Sequence, residues 1–425
     1  MFAGCSSLEA FAVPPKVTRI RADAFAGCDA IKRVDVASFD QWVMMEFENE
    51  NANPLVEGAT LFVNGQPFDS SASVVDGLTI LDGWVVDCED RGAEEVVVPE
   101  GVVGIWHGAF AGMYDLAAVS LPSSLKYIGE RAFAECTKLT KATFAEGLET
   151  VGDSAFSNCW RMISVSLPVS VSNVAATAFK DCAYLVGVTV STGIEPMSEW
   201  FAPVYRQIEN VTVPEGTTEV CAEMFVGCAA LKTVGLPEGV ANIADGAFRD
   251  CAALETILLP ESLEAIGDEA FAGCTALKAI VLPKDVAVLG KRVFSGCAVL
   301  SDVTLSRALT AIPDGTFAGC KALDSFVVPE AVAELGSQIV PSATTAIYYL
   351  GNAPTYAADV YAQANAALVS YVVEGTKGWD GRPTSRDIPR NWPTTNARAI
   401  TPWSPEITVK GGNSAFYSIG VGKGN

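Results

Sequence analysis

Cysteine, histidine and carboxylate side chains most often carry chemistry, and this 425-residue chain holds twelve cysteines, one histidine and fifty acidic residues. Thiolates bind zinc when they come in C-x-x-C pairs, and they cross-link when two lie within bridging distance. The chain has no such pair. Instead Cys228, Cys251, Cys274, Cys297 and Cys320 are each 23 residues apart, as are Cys136, Cys159 and Cys182, and Cys5 and Cys28. Thiols on strands about 4.8 Å apart could bridge. Yet Met113 and Tyr205 fill the same slot, and neither can ligate or cross-link as a thiolate does. The slot therefore reads as an apolar core position in which free cysteine packs as a small hydrophobe. Cys221 lies off this ladder, where other repeats place Gly129, Gly152, Ala175 and Gly267, and reads as a small packing residue. Cys88 falls outside the period and has the best claim to thiol reactivity.

The remaining candidates are weaker. Any histidine-based triad would have to use His107, and no G-x-S-x-G elbow accompanies it, so a surface turn is the expected place. No phosphate-binding or dinucleotide fingerprint is present. Glu215, Glu238, Glu261 and Glu330 each follow a strand-ending proline and read as solvated turn residues. A glycosidase needs two carboxylates facing each other across a cleft, which a repeated surface gives no reason to expect. We expect no catalytic residue, no metal site and no cofactor. The net charge of −22 repels a phosphate backbone, which makes nucleic acid a poor partner. Basic clusters for an anionic bilayer are missing, and no apolar run approaches the roughly 20 residues of a spanning helix.

The elements that position these residues follow the same ruler. Three residues before every such slot except that of Tyr205 stands phenylalanine, at Phe2, Phe25, Phe110, Phe133, Phe156, Phe179, Phe225, Phe248, Phe271, Phe294 and Phe317. Leucine follows three residues after, as at Leu231, Leu254, Leu277, Leu300 and Leu323, and two apolar positions come at six and eight, as at Ile280 and Leu282. Alternation over Ala279 to Leu282 predicts a short strand with Ile280 and Leu282 on one side. Proline then ends it, as at Pro237, Pro260 and Pro283, because proline cannot donate to a ladder. A last apolar position falls fifteen residues after the cysteine, at Ile128, Val151, Ile243, Ile266 and Ile312. One such unit cannot bury its apolar side alone, so a stack of units is predicted.

The unit Ala270-Phe271-Ala272-Gly273-Cys274, with Leu277, Ile280, Leu282-Pro283, Val286 and Leu289-Gly290, resembles the BspA-like leucine-rich repeat. The resemblance covers most of residues 1–345. It implies a β-rich leucine-rich-repeat solenoid: a curved parallel sheet with irregular or 3₁₀ turns on the other side, closed by a small C-terminal cap. It also implies a secreted or cell-surface protein of the adhesive kind, whose partners are host or matrix proteins. Met1-Phe2-Ala3-Gly4-Cys5 reads as the interior of a repeat and not as a secretory leader, so the expected localisation rests on the resemblance alone.

Five segments are expected: N-terminal repeats 1–37, irregular variant repeats 38–92, the main solenoid 93–345, a cap region 346–404, and a tail or further domain from 405 to 425. Asn64-Gly65 and Asp82-Gly83 predict hairpin turns in the second. Residues 191–209 keep the frame through Ile194, Met197 and Ile208. Ile347 to Gly351 and Val369 to Val373 read as late strands, before a region marked by Trp379, Trp392 and Trp403.

The outward strand position, seven after each slot, carries the candidate binding residues. It reads Ser120, Thr143, Ser166, Thr189 and Thr212, then Gly235, Leu258, Val281, Thr304 and Val327. We expect a ligand-binding strip at Ser120, Thr143, Ser166, Thr189, Thr212, Leu258, Val281 and Thr304, although threonine and valine also suit strands for their own sake. The leading expectation is a non-catalytic module that binds proteins; the alternative is a carbohydrate-binding or cell-envelope scaffold module, with the late tryptophans stacking on sugars.

Overall fold

A computed structural model describes residues 2–43, 45–47, 52, 54–55, 59–68, 71–190, 196–365, 367–373 and 377–378, with short strands at Pro402–Trp403, Ile407–Val409 and Tyr417–Ile419. Ile194, Trp379 and Trp392 lie outside the described residues, as do the side chains of Thr143 and Trp403. The chain forms two compact units, Met1–Met162 with Asn173–Cys182, and Ile163–Ser172 with Ala183–Asn425.

Both units are parallel β-solenoids in which the 23-residue ruler is the pairing register. In the first unit Glu95–Val97 pairs with Ala118–Ser120, so that Val96 meets Val119. In the second, Ser164–Ser166, Gly187–Thr189, Asn210–Thr212 and Thr233–Gly235 pair in sequence, with Val165, Val188, Val211 and Val234 stacked. Most rungs bury the middle residue of a three-residue strand and turn its neighbours outward, as alternation requires, whereas Val119 is half-buried.

A second ladder runs along the solenoid where the sequence suggested only turns. Gly104–Ile105, Tyr127–Ile128, Thr150–Val151 and Asn173–Val174 pair in the first unit, and Glu219–Val220, Asn242–Ile243, Ala265–Ile266 and Val288–Leu289 in the second. These two-residue strands carry the apolar position fifteen after the cysteine. They are too short to show alternation, which is why the pattern alone did not separate them from turns.

The phenylalanine-bearing turn supplies a third set of rung-to-rung bonds. Phe133 N–H donates to Ala155 O at 2.7 Å and Glu135 N–H to Ser157 O at 2.7 Å. Two residues in most such turns are left-handed, as at Glu269 (φ 55°) and Gly273 (φ 75°), which lets alternate N–H groups point along the stack.

The core is a set of columns. Phe110, Phe133, Phe156 and Phe179 stack with centroids 4.9, 5.2 and 5.5 Å apart in the first unit. Phe225, Phe248, Phe271, Phe294 and Phe317 stack at 5.1, 5.2, 5.8 and 6.0 Å in the second, and all nine rings are fully buried.

The irregular segment adds a short helix, Phe39–Val43, and antiparallel strands. Thr60–Val63 continues the parallel ladder and folds back to Gln66–Pro67 across Asn64-Gly65. Ser73–Val75, Leu78–Leu81 and Trp84–Cys88 form a meander whose turns are Asp76-Gly77 and Asp82-Gly83. All six of these turn residues are left-handed, the conformation two-residue hairpins need. The Asp76-Gly77 turn was not read from the sequence. Trp84 is fully buried and its Nε1 donates to Asp40 Oδ1 at 2.8 Å, tying the meander to the helix.

One register expectation is corrected. Tyr205 does not fill the cysteine slot: Phe201 and Val204 are the buried residues of that rung, while Tyr205 is half-buried. The chain reaches Phe201 22 residues after Phe179, one short of the period, and the 3₁₀ turn Tyr205–Gln207 takes up the extra residue before Ile208 restores the frame. Arg206 folds over the displaced ring, with Nε donating to Tyr205 Oη at 3.0 Å.

Late in the chain, Ser325–Val328, Ala346–Tyr349 and Val369–Val373 pair in parallel. Tyr349 and Tyr361 are buried there with their hydroxyls 2.8 Å apart.

Candidate interaction surface

The thiols come first, because they were the strongest chemical candidates. None of the twelve is cross-linked, and ten are buried. In most rungs Sγ donates to the carbonyl of the phenylalanine one rung earlier: Cys136 to Phe110 O at 3.3 Å, Cys182 to Phe156 at 3.1 Å, Cys274 to Phe248 at 3.2 Å, Cys320 to Phe294 at 3.1 Å. Cysteine in this slot is thus a small hydrophobe that also satisfies a backbone acceptor. Burial removes the thiolate's hydration and pushes Cys136, Cys182, Cys228 and Cys320 up to about 12. Cys88 is corrected as the reactive candidate: it is buried, and desolvation raises its thiol. Cys5 departs from the buried ladder, being exposed. In the folded protein at a pH of about 8, near the ordinary thiol range, iodoacetamide should modify Cys5 quickly and half-buried Cys221 slowly. The other ten thiols should stay untouched until denaturant is added. Intact mass reads the result, and more than two adducts before unfolding would refute the closed ladder.

His107 lies on an exposed turn, 3.7 Å from Glu130, and Glu215, Glu238, Glu261 and Glu330 are all exposed. Among the described residues no three of His, Cys, Asp and Glu are grouped to hold a metal, and no helix is long and apolar enough to cross a membrane.

The outward face of the longer-stranded ladder is the surface the sequence pointed to. In the first unit Ser120 is exposed and pairs with Val97, itself 67% exposed; Val97 was missed, though Val96 and Val98 flank it as inward residues. Thr143 lies in the strand Lys141–Thr143. In the second unit Ser166 and Thr189 are half-buried, while Thr212 is exposed beside Gly235. Leu258 is 88% exposed, and Val281, 48% exposed, pairs with exposed Thr304.

This apolar patch sits where the ladder is interrupted. Residues 255–260 belong to no strand, between Thr233–Gly235 and Ala279–Val281. Charged pairs border it: Lys232 with Glu209 at 2.8 Å and Lys278 with Glu255 at 2.5 Å.

The stacked rungs, parallel ladders and buried Phe–Cys–Leu columns define a leucine-rich-repeat solenoid. The chain belongs to the BspA type leucine rich repeat family, whose pattern matches in six copies over residues 1–52, 89–201 and 197–324. Similar solved structures include a leucine-rich repeat protein from Bacteroides ovatus, 23% identical, covering 71% of this chain and 92% of that one with a TM-score of 0.39. A leucine rich cell surface protein from Faecalibacterium prausnitzii is 20% identical, covering 73% of this chain and 96% of that one with a TM-score of 0.27. The pneumococcal vaccine antigen PcpA is 20% identical, covering 86% of this chain and 84% of that one with a TM-score of 0.31. No curated protein matches the chain significantly.

Proposed function

We propose that this chain is a non-catalytic recognition module that binds protein partners through the outward face of its longer-stranded ladder, as a surface or secreted adhesin. The observation that carries the reading is the exposed apolar pair Leu258 and Val281 inside a rim of charged pairs. Apolar side chains left in water on the solenoid surface are a standing source of binding free energy once a partner covers them. The net charge of −22 favours partners with basic patches and speeds their encounter at low salt. Family membership supports an interaction role, and a surface or secreted setting is where such a module meets host and matrix proteins. Ser120 and Thr143 in the first unit, and Ser166, Thr189, Thr212 and Thr304 in the second, are the hydroxyl residues that contribute hydrogen bonds in this reading.

A panel of purified matrix and host-surface proteins tests this. A partner bound by the native chain should lose about tenfold or more in affinity to Leu258→Lys with Val281→Lys, since burying a charge without a counter-charge is costly. A double variant that binds every partner as tightly as the native chain, with an unchanged melting curve, refutes the assignment to this face.

A further inference from the structure

We propose that the first unit carries a separate strip, along Tyr114 and Trp160, that takes an extended β-1,4-linked pyranose chain. It does not depend on the sheet-face reading, and its residues are different.

Both rings stand in the same place on their rungs, directly after the core slot filled by Met113 and Cys159. Tyr114 is 58% and Trp160 54% exposed, high values for side chains of this size. Their backbones turn alike: Tyr114 N–H donates to Gly112 O at 2.9 Å and Trp160 N–H to Asn158 O at 2.9 Å, the accepting residue being left-handed in each case. Each side chain leans back over that pivot. A Cβ on Gly112 would lie 3.9 Å from Tyr114 Oη, and Trp160 Nε1 lies 3.4 Å from Asn158 Oδ1. Both side chains thereby lean toward the residue two positions before them.

The rung between them carries only Thr137, whose Oγ1 donates to Tyr114 O at 3.3 Å. The Phe110, Phe133 and Phe156 rings beneath step by 4.9 and 5.2 Å, so equivalent positions two rungs apart are about 10 Å apart. That is the length of two sugar units in an extended β-1,4-linked chain, in which every second pyranose presents the same face. The C–H face of a pyranose packs on an aromatic face as another apolar surface would. Hydroxyl partners stand beside the rings: Glu135, with Oε2 3.4 Å from Tyr114 Oη, the Asn158 amide, and the Lys138–Asp115 pair at 2.7 Å. An α-linked chain coils and cannot keep this spacing along a straight line.

Depletion of the full chain from solution by cellulose, chitin, peptidoglycan sacculi and, as an α-linked control, starch provides the test. Retention is expected on at least one β-1,4-linked solid and not on starch, and which solid retains it identifies the source of the chain. Tyr114→Ala and Trp160→Ala should each weaken binding about tenfold, with unchanged melting because both side chains are exposed. Adding Thr137→Trp to Trp160→Ala places the rings one rung apart and should not restore binding. Lack of retention on all three β-linked solids overturns the proposal. So does retention that survives the double alanine variant or is restored by Thr137→Trp.

Discussion

Replacing Phe271 by alanine should destabilise the protein by about 3–5 kcal/mol, the usual range for truncating a buried phenylalanine. The ring is fully buried between Phe248 at 5.2 Å and Phe294 at 5.8 Å, so its removal empties a column and leaves two further rings with a bare face. Rotation of a neighbour cannot fill the space, because each rung is tied to the next by backbone bonds such as Phe271 N–H to Val293 O at 2.9 Å. In a stacked-repeat protein, stability is a sum of rung terms and nearest-neighbour terms, and this change weakens two of the latter. The denaturant midpoint measures it, with Phe271→Leu as a milder companion. A midpoint that moves by less than about 1 kcal/mol equivalent would mean that the ring columns are not the core.

Gly290→Ala is the second large expected effect, about 1–3 kcal/mol of destabilisation from overpacking. The glycine is not left-handed; it is needed because a Cβ there would meet the backbone of the rung below, at Gly267 and Asp268, with Asp268 Cα only 2.7 Å away. Gly129 and Gly152 show the same closeness, with backbone 2.8 Å from an added Cβ, so this corner is where rungs approach most tightly. Backbone cannot rotate aside as a side-chain end can. The added methyl must therefore wedge two rungs apart and lengthen Gly290 N–H to Ile266 O, now 2.8 Å. The slot holds alanine at Ala244, which makes Ala244→Gly the control: it should cost far less than Gly290→Ala. Equal melting temperatures for Gly290→Ala and the native chain would show that the corner opens freely.

Much of the fold could be read along the chain because the solenoid repeats itself covalently. A period of 23 residues is also the distance between hydrogen-bonded partners, so Val211↔Val234 and Ile280↔Val303 were implicit in the spacing. The burial of the phenylalanine, cysteine and leucine columns followed, since a residue type repeated at one slot stacks on itself. Where the period lapsed, only local signals remained, and they located the Asn64-Gly65 and Asp82-Gly83 hairpins but not the one at Asp76-Gly77. Before Tyr205 the spacing falls one short, with Phe201 22 residues after Phe179, and slot counting placed the wrong side chain in the core.

The surface belongs to the other side of that division. The outward row was legible, Leu258 included, but the interruption of the ladder over residues 255–260 was not. Tyr114 and Trp160 are 46 residues apart in the chain, and two rung heights bring them near one another. Register along the chain is a covalent property, so it is written in one repeat and copied into the next. Exposure and the spacing of side chains across rungs arise from how far apart neighbouring rungs settle, and that distance exists only once they have stacked.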